Sequence, residues 1–310
     1  GQVQFDNRVV NLTPYEVRFQ ENRPFFTEGT ELFNKGNLFY SRRIGSAPIN
    51  YGFAYENLKS NEIISKNPTT TPVLNATKIS GRGNKGLGVG LFNAITGSTY
   101  ATIENLDDHS QRKVQTSPLV NYNLIVLDKN LKYNSSITFV NSNVFRDGAT
   151  RDANVSGLLF TLRNKSNEYA ISGNSALSQR YDNVKNDIGY QYSMNFQKTN
   201  GNWQWYAFYN EESYNYNPND LGYLYSPNER TIKGSITYLD FKPKKRNIRW
   251  NVNLTANYTR LQKPDAYNTL NFNASYFAMT KKFFAYSFIG YIEPIGTNDY
   301  FEPRTSDFSR

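Results

Sequence analysis

The stretch NIRWNVNLTANY at residues 247–258 changes character at every position: Ile248, Trp250, Val252, Leu254, Ala256 and Tyr258 are apolar, and Asn247, Arg249, Asn251, Asn253, Thr255 and Asn257 are polar. A side-chain period of two belongs to a β-strand, whose successive residues point to opposite faces. The same pattern sets Ile188, Tyr190, Tyr192, Met194 and Phe196 against Gly189, Gln191, Ser193, Asn195 and Gln197. It also sets Leu270, Phe272, Ala274, Tyr276 and Ala278 against Thr269, Asn271, Asn273 and Ser275, and Phe284, Tyr286, Phe288 and Ile292 against Ala285, Ser287 and Glu293.

Working outward, two-faced runs cover Gly86–Thr96, Pro118–Asp128, Tyr133–Asn143, Asp152–Arg163, Tyr169–Ser178 and Asp187–Lys198. More cover Asn202–Ser213, Arg230–Asp240, Asn247–Arg260, Asn268–Met279 and Phe283–Glu293. Soluble strands usually stop at about 5–6 residues, whereas these reach the ~9–11 that cross a bilayer at a slant. The expected fold is therefore all-β, a transmembrane outer-membrane antiparallel β-barrel. Leu158, Leu159 and Phe160 blur the alternation, as expected where a plug covers the inner wall.

The connections carry a second signal. Short turns near Asn84, Asp128–Lys132, Asn164–Asn167, Thr199–Gly201, Lys242–Arg246 and Thr280–Lys282 alternate with longer loops. The loops are Gly97–Ser117, Val144–Arg151, Gln179–Asn186, Tyr214–Glu229 and Gln262–Tyr267. Outer-membrane barrels keep short turns in the periplasm and long loops outside. With Gly83–Lys85 as a periplasmic turn, Val73–Arg82 runs downward, and Asn37–Ile44 is the expected upward strand before it. The Pro-, Thr- and Asn-containing stretch Gly45–Thr71 between them reads as coil.

That makes about 13 strands, an odd number in a class of even counts. With Ser309 and Arg310 in place of a terminal aromatic, further strands are expected past Arg310. Residues 1–36 do not alternate. Thr13-Pro14-Tyr15-Glu16 reads as a helix start that Pro24 would end. Residues 1–36 are thus expected to be a periplasmic or plug-like segment, and residues 37–310 the barrel.

Composition agrees with this division. The 310 residues are only 38% hydrophobic, with 24 Tyr and 21 Phe, and the mean hydropathy is -0.67. No run approaches the ~18 apolar residues of a spanning helix. Without cysteine there is no disulfide framework or thiolate metal site. Gly1 follows no charged-then-apolar leader, so an export signal is expected to have been removed or to lie upstream. The net charge of +9 attracts anions generally, including nucleic acid and the phosphates of lipopolysaccharide. The one tight basic cluster, Lys242, Lys244, Lys245 and Arg246, reads as a solvated turn.

Several blocks add a resemblance: Gly1-Gln2-Val3, Val9-Val10-Asn11-Leu12, Glu21-Asn22-Arg23-Pro24-Phe25-Phe26-Thr27-Glu28-Gly29 and Phe39-Tyr40-Ser41-Arg42-Arg43-Ile44-Gly45. Lys78-Ile79-Ser80-Gly81, Gly90-Leu91-Phe92-Asn93-Ala94, Leu119-Val120-Asn121-Tyr122 and Asn217-Pro218-Asn219-Asp220-Leu221-Gly222 follow in order. The chain resembles a Bacteroidota outer-membrane barrel family in which a family 9 carbohydrate-binding-like domain precedes a domain of unknown function. The resemblance implies a barrel in the outer membrane, with the sugar-binding-like domain upstream. It transfers no sugar-binding residue and no activity to this chain.

Candidate chemistry is sparse. Gly81-Arg82-Gly83-Asn84-Lys85-Gly86 matches G-x-G-x-x-G, but Leu87–Leu91 continues as a strand where a dinucleotide site needs a helix. His109, the single histidine, follows Asp107 and Asp108 and would suit a general base if further groups converged on it. Asn215, Asn217, Asn219 and Asp220 offer oxygens but lack the charge of a calcium loop, so an Asx-rich turn is favoured. The sequons at Asn11, Asn253 and Asn257 are incidental in a bacterial protein. Arg42 and Arg43 suggest salt bridges to Glu28 or Glu31, with lipid phosphate as the alternative. Trp203, Trp205 and Trp250 suit an interfacial belt more than a sugar-stacking platform.

No catalytic, cofactor-binding or metal residue is assigned, and no cofactor is expected. The expected function is a non-catalytic outer-membrane surface protein, in glycan or nutrient acquisition or as a subunit of a larger envelope complex. Expected partners are outer-membrane lipid and lipopolysaccharide, other outer-membrane proteins, and glycans through an upstream domain, not nucleic acid. The alternatives are a barrel hydrolase using loop residues around His109 and a soluble basic β-protein that binds glycan or nucleic acid.

Overall fold

A computed structural model describes residues 10–11, 15–182, 185–244 and 246–300. Among them the first strands are β1 Glu62–Lys66, β2 Val73–Arg82, β3 Leu87–Thr96, β4 Thr99–Asn105, β5 Gln111–Ser117, β6 Val120–Leu131, β7 Ser135–Arg146 and β8 Asp152–Arg163. They continue as β9 Tyr169–Tyr181, β10 Asp187–Lys198, β11 Trp203–Glu212, β12 Glu229–Asp240, β13 Asn247–Leu261, β14 Tyr267–Thr280 and β15 Ala285–Ile292. Helices are limited to α1 Pro24–Thr27, α2 Phe53–Glu56 and a 3-10 turn at Ser41–Arg43. None is long and apolar enough to cross a membrane.

Twelve strands form one antiparallel sheet in the order β15-β14-β13-β12-β11-β10-β9-β8-β7-β6-β3-β2, and β1-β4-β5 form a second, three-stranded sheet. Each two-faced run read from Val73 to Glu293 is a strand of the large sheet. Register passes the faces from strand to strand, because a slip of one residue would reverse them. Leu254 of β13 stands opposite Ile236 of β12 and Ala274 of β14, while Thr255 stands opposite Ser235 and Asn273. One face is bare: Leu254 is 55%, Ile236 54% and Met194 50% exposed.

The other face is covered over β3 to β9. Phe26, Phe33, Leu38, Phe39 and Ile44 of the N-terminal segment pack with Phe92, Leu124, Val126, Val140, Val144 and Val155 into one core. Glycines make the room. A Cβ on Gly90 would lie 2.9 Å from Phe33 Cε1, and one on Gly157 would run into Leu38 Cδ1. The blurred run is explained here, since Leu159 turns toward this core while Leu158 stays on the bare face.

Several expectations are corrected. Asn37–Ile44 is not a strand: Gly36 and Asn37 reverse the chain at φ +61° and +57°, and Leu38, Phe39, Tyr40 and Ser41 are buried consecutively, so no two-faced pattern exists there. Pro24 begins a helix instead of ending one, taking the first-turn position where its missing N–H is not needed. Thr13 and Pro14 lie outside the described residues. The coil expected at Gly45–Thr71 contains α2 and β1, and the loop expected at Gly97–Ser117 is the β4–β5 hairpin.

The sheet is also open. β2 and β15 are its edges, and among the described residues no pairing joins them. The length contrast between its two ends is smaller than expected, because β7, β9 and β14 extend into the loop end and leave links of five residues at 147–151, 182–186 and 262–266. Two long connections remain there, the β4–β5 excursion and residues 213–228.

Residues 213–224 fold back onto the covered face. A Cβ on Gly189 would meet the backbone of Asn215 and Tyr216. Gly189→Val is therefore expected to lift this loop at a cost of about 1–3 kcal/mol, read as faster proteolytic cleavage within residues 213–228 while the rest of the sheet stays resistant.

Candidate functional site

The covered face has two regions of different chemistry. Over β3 to β9 the N-terminal segment is held together by Arg23. Its guanidinium donates to Glu21 Oε1 at 2.8 Å and Oε2 at 2.6 Å, and to the carbonyls of Ser41 and Ile44 at 2.9 Å each. The ring of Phe26 lies 4.1 Å away. Burial alone would raise the Glu21 pKa, but hydrogen bonds from Arg23 and Ser41 outweigh it and hold the carboxyl below its ordinary value. Lys78 on β2 donates to the carbonyls of Phe25, at 2.6 Å, and Glu28.

The folded-back loop joins this cover. Tyr40 N donates to Leu221 O at 2.7 Å, and Tyr223 N donates to Asn37 O at 2.8 Å. Asp220, 4% exposed, pairs with Arg146 at 2.7 Å and Arg151 at 3.4 Å. Asn217 Oδ1 accepts from Asn219 N at 3.0 Å, and Asn219 Oδ1 from Leu224 N at 2.6 Å. These oxygens are spent on the loop's own turns, as an Asx-rich reading requires.

From β9 to β14 the same face is polar. In register, Ser172 stands beside Asn195, Asn195 beside Phe208, Phe208 beside Lys233, and Lys233 beside Asn257 and then Asn271. Gln191 Nε2 donates to Asn174 Oδ1 at 2.7 Å and Asn210 Oδ1 at 3.1 Å. The sequon residue Asn253 donates to Ser235 at 2.7 Å and Thr237 at 2.6 Å, so its amide serves this wall.

The remaining candidates fall elsewhere. Gly81–Gly86 forms the β2–β3 turn, with Gly83 N bonded to Leu87 O at 2.8 Å and Gly86 at φ +78°. His109 sits at the tip of the β4–β5 hairpin, 2.9 Å from Glu104 Oε1. Asp107 accepts from Asn61 at 2.7 Å, and Asp108 from Ser110 N at 2.9 Å. The hairpin thus engages these carboxylates locally. Among the described residues no group of three or more His, Cys, Asp or Glu side chains is arranged to hold a metal. Arg43 does form a bridge, to Glu16 at 2.6 and 2.7 Å and not to Glu28 or Glu31. Lys244 pairs with Asp240 at 2.6 Å within the β12–β13 turn.

The tryptophans lie on the bare face. Trp203, Tyr238, Trp250, Tyr276 and Tyr286 form a row at the short-turn end, with successive ring centroids 4.9, 5.0, 6.3 and 6.1 Å apart. At the opposite end Tyr190, Tyr192 and Tyr209 all donate to Glu211, at 2.9, 3.1 and 2.5 Å, and Arg230 Nε adds a fourth bond at 3.1 Å. Neither Lys233 nor Arg23 stands out from the sequence by a chemical motif, although Arg23 lies in the Glu21–Gly29 block of the family resemblance. Lys233 is legible only as one polar member of a strand, and half of the side-chain bonds of Arg23 go to backbone carbonyls of distant residues, Ser41 and Ile44.

These features define an all-β protein of two antiparallel sheets, one of them large and chemically two-sided. The chain belongs to the family described as Domain of unknown function (DUF5916), which matches residues 1–309. No curated protein and no solved structure was found to match it.

Two outcomes follow from the contacts. Arg23→Ala leaves Glu21 and two carbonyls without their buried partner, and is expected to weaken docking of the N-terminal segment by about 3–5 kcal/mol; protease protection of residues 15–44 measures it. In the small sheet, Glu62 takes a two-pronged contact from Arg112 at 2.9 and 2.6 Å. Those bonds, then that from Lys59 N, lower its pKa from 4.5 to about 2. A carboxyl with a depressed folded pKa stabilises above its unfolded value and loses that contribution as pH falls through the folded one. Amide-exchange protection of β1, β4 and β5 should therefore hold at pH 5 and decline between pH 4.5 and 2, and Glu62→Gln should remove that dependence.

Proposed function

We propose that this chain forms the wall and part of the filling of a transmembrane β-barrel in a bacterial outer membrane, closed through the edges that β2 and β15 present. In this reading the bare face meets lipid and the covered face is the lumen. The protein is a non-catalytic surface component that handles polar solutes in glycan or nutrient acquisition.

The observation that carries the reading is the exposed apolar face. Twelve strands at ~4.8 Å spacing span about 50 Å. From Trp250 to Tyr258 on β13 is about 26 Å of strand, or roughly 20 Å across a bilayer at the usual tilt. That outlines a largely apolar face of roughly 1,000 Å², interrupted by the amides Asn93, Asn121, Asn123, Asn141 and Asn154 toward the loop end of β3, β6, β7 and β8, and still beyond the few hundred Å² that soluble monomers ordinarily leave exposed. A soluble sandwich would cover it with a second layer, but the N-terminal segment packs on the opposite face.

The margins support the same reading. Charged side chains of the bare face, including Lys198, Glu211, Arg230, Asp240 and Arg260, all lie close to strand ends. Arg230 and Arg260 both pair with Asp265, at 3.0 and 2.6 Å. A shallow groove between Ile236 and Phe272, floored by Gly234, Ala256 and Ala274, has an almost wholly apolar lining suited to an acyl chain. The likeness to Bacteroidota barrels with an upstream family 9 carbohydrate-binding-like domain supports placement in a larger envelope protein, with lipopolysaccharide and other outer-membrane proteins as partners.

Leu254 and Thr255 are neighbours near the centre of β13 on opposite faces, so they make a controlled pair. Leu254→Arg is expected to cost about 2–4 kcal/mol of barrel stability in lipid vesicles, seen as loss of the fast-migrating folded band on unheated gels, while Thr255→Arg keeps it. Equal behaviour of the two variants, or full solubility of the protein without detergent, contradicts the reading.

A further inference from the structure

We infer that the uncovered part of the inner wall is a binding site for a small hydroxylated anion, a sugar acid in chemical class. The inference rests on the barrel reading above and names what that lumen would hold.

A cavity of about 690 Å³ lies between Lys35, at the edge of the N-terminal segment, and the wall from β7 to β12. That size falls within the ~300–1,000 Å³ of small-molecule sites. Lys233 projects from the wall and has no ion pair among the described residues. The nearest carboxylate on its own strand, Glu229, is four residues away, about 13 Å along the chain. Lys35, 3.7 Å from Asp128 Oδ1, brings a second cation to the rim. A half-buried cation without a counter-ion favours an anion beside it.

The neutral groups define the rest of the ligand. Asn195 Oδ1 is buried without a hydrogen-bond partner, and its amide nitrogen reaches only Gln197 at 3.3 Å. Asn174 Oδ1 is already used by Gln191 and Ser193, at 2.7 and 2.9 Å, which leaves its Nδ2 to donate. An unused acceptor and an unused donor, on adjacent strands, match a hydroxyl, which does both. Buried polar atoms are seldom left unpaired; of the several such side-chain atoms among the described residues, Asn195 Oδ1 is the one that belongs to a residue lining this cavity. Tyr206 and Phe208 supply aromatic surface beside these groups for the C–H faces of a sugar ring. Two lysines and no arginine among the lining residues suit a single anionic group, not a polyanion.

The test uses the full chain folded in detergent micelles, titrated calorimetrically with glucuronate and, separately, with glucose. Glucuronate is expected to bind at least tenfold tighter than glucose. Lys233→Met should erase that preference, and Asn195→Asp, which keeps side-chain size but adds a negative charge, should weaken glucuronate at least tenfold. The folded gel band is recorded for every variant, so that loss of binding is interpreted only where folding persists, and the wild-type preference stands as a test without any variant. Equal binding of the two sugars, or none, by the folded barrel overturns the site and leaves the barrel reading intact. A chain that is soluble without detergent overturns the barrel itself.

Discussion

A wide β-sheet has two faces, and each requires its own solvent. In this protein the chain supplies cover for only one of them. The apolar side chains of the N-terminal segment lie over Phe92, Leu124 and Val140, while Leu254, Ile236 and Met194 point away from any protein layer. Burial of apolar surface is worth roughly 25 cal/mol per Å², so a bare face of this extent is a large unmet demand in water. In the proposed reading, hydrocarbon would meet it without any further protein. The proposed membrane placement rests on that one asymmetry.

The covered face shows how a wide sheet accommodates a filling. Side chains must be absent where the cover approaches most closely, which is why Gly90, Gly157 and Gly189 sit beneath Phe33, Leu38 and Tyr216. The cover also carries polar backbone into a closed space, and its carbonyls need donors. Arg23 and Lys78 provide them, from the cover itself and from β2. Several sequence blocks behind the family resemblance therefore have a physical role in one joint: Glu21–Phe26 and Ser41–Ile44 grip each other, and Asn217–Gly222 closes over them.

Much of the large sheet was legible in the sequence because its strands are solvated differently on their two sides, so the period of two is written in polarity. Asp152–Arg163 and Asp187–Lys198 coincide with strands residue for residue. The pattern fails where both sides of a segment are buried or both are wet. Leu38, Phe39 and Tyr40 are enclosed together, so the strand that the order of turns requires at Asn37–Ile44 is a compact turn instead. In β4 and β5, mostly polar residues on a short protruding hairpin carry little periodicity, and a loop was read instead. The candidate cavity was less legible still. Lys233, Asn195 and Lys35 lie far apart in sequence, and only the register of β10, β11 and β12 brings the first two near each other.

Whether the cover acts as a moving gate or as a fixed floor is decided by magnitude. Lifting it would expose Phe26, Phe33, Leu38, Phe39 and Ile44, all buried, at about 1.5–3 kcal/mol each, or roughly 10 kcal/mol together, before the apolar wall beneath is counted. A small ligand in the lumen yields about 4–8 kcal/mol at millimolar to micromolar affinity, and it can drive a change only by its difference in affinity between two states. Ligand binding alone is too weak to displace the cover. In the proposed reading, polar solutes would then be handled with the cover in place, on the wall it leaves open, where Lys233 is the cation without an ion pair among the described residues and Lys35, at the cover's edge, shares its charge with Asp128.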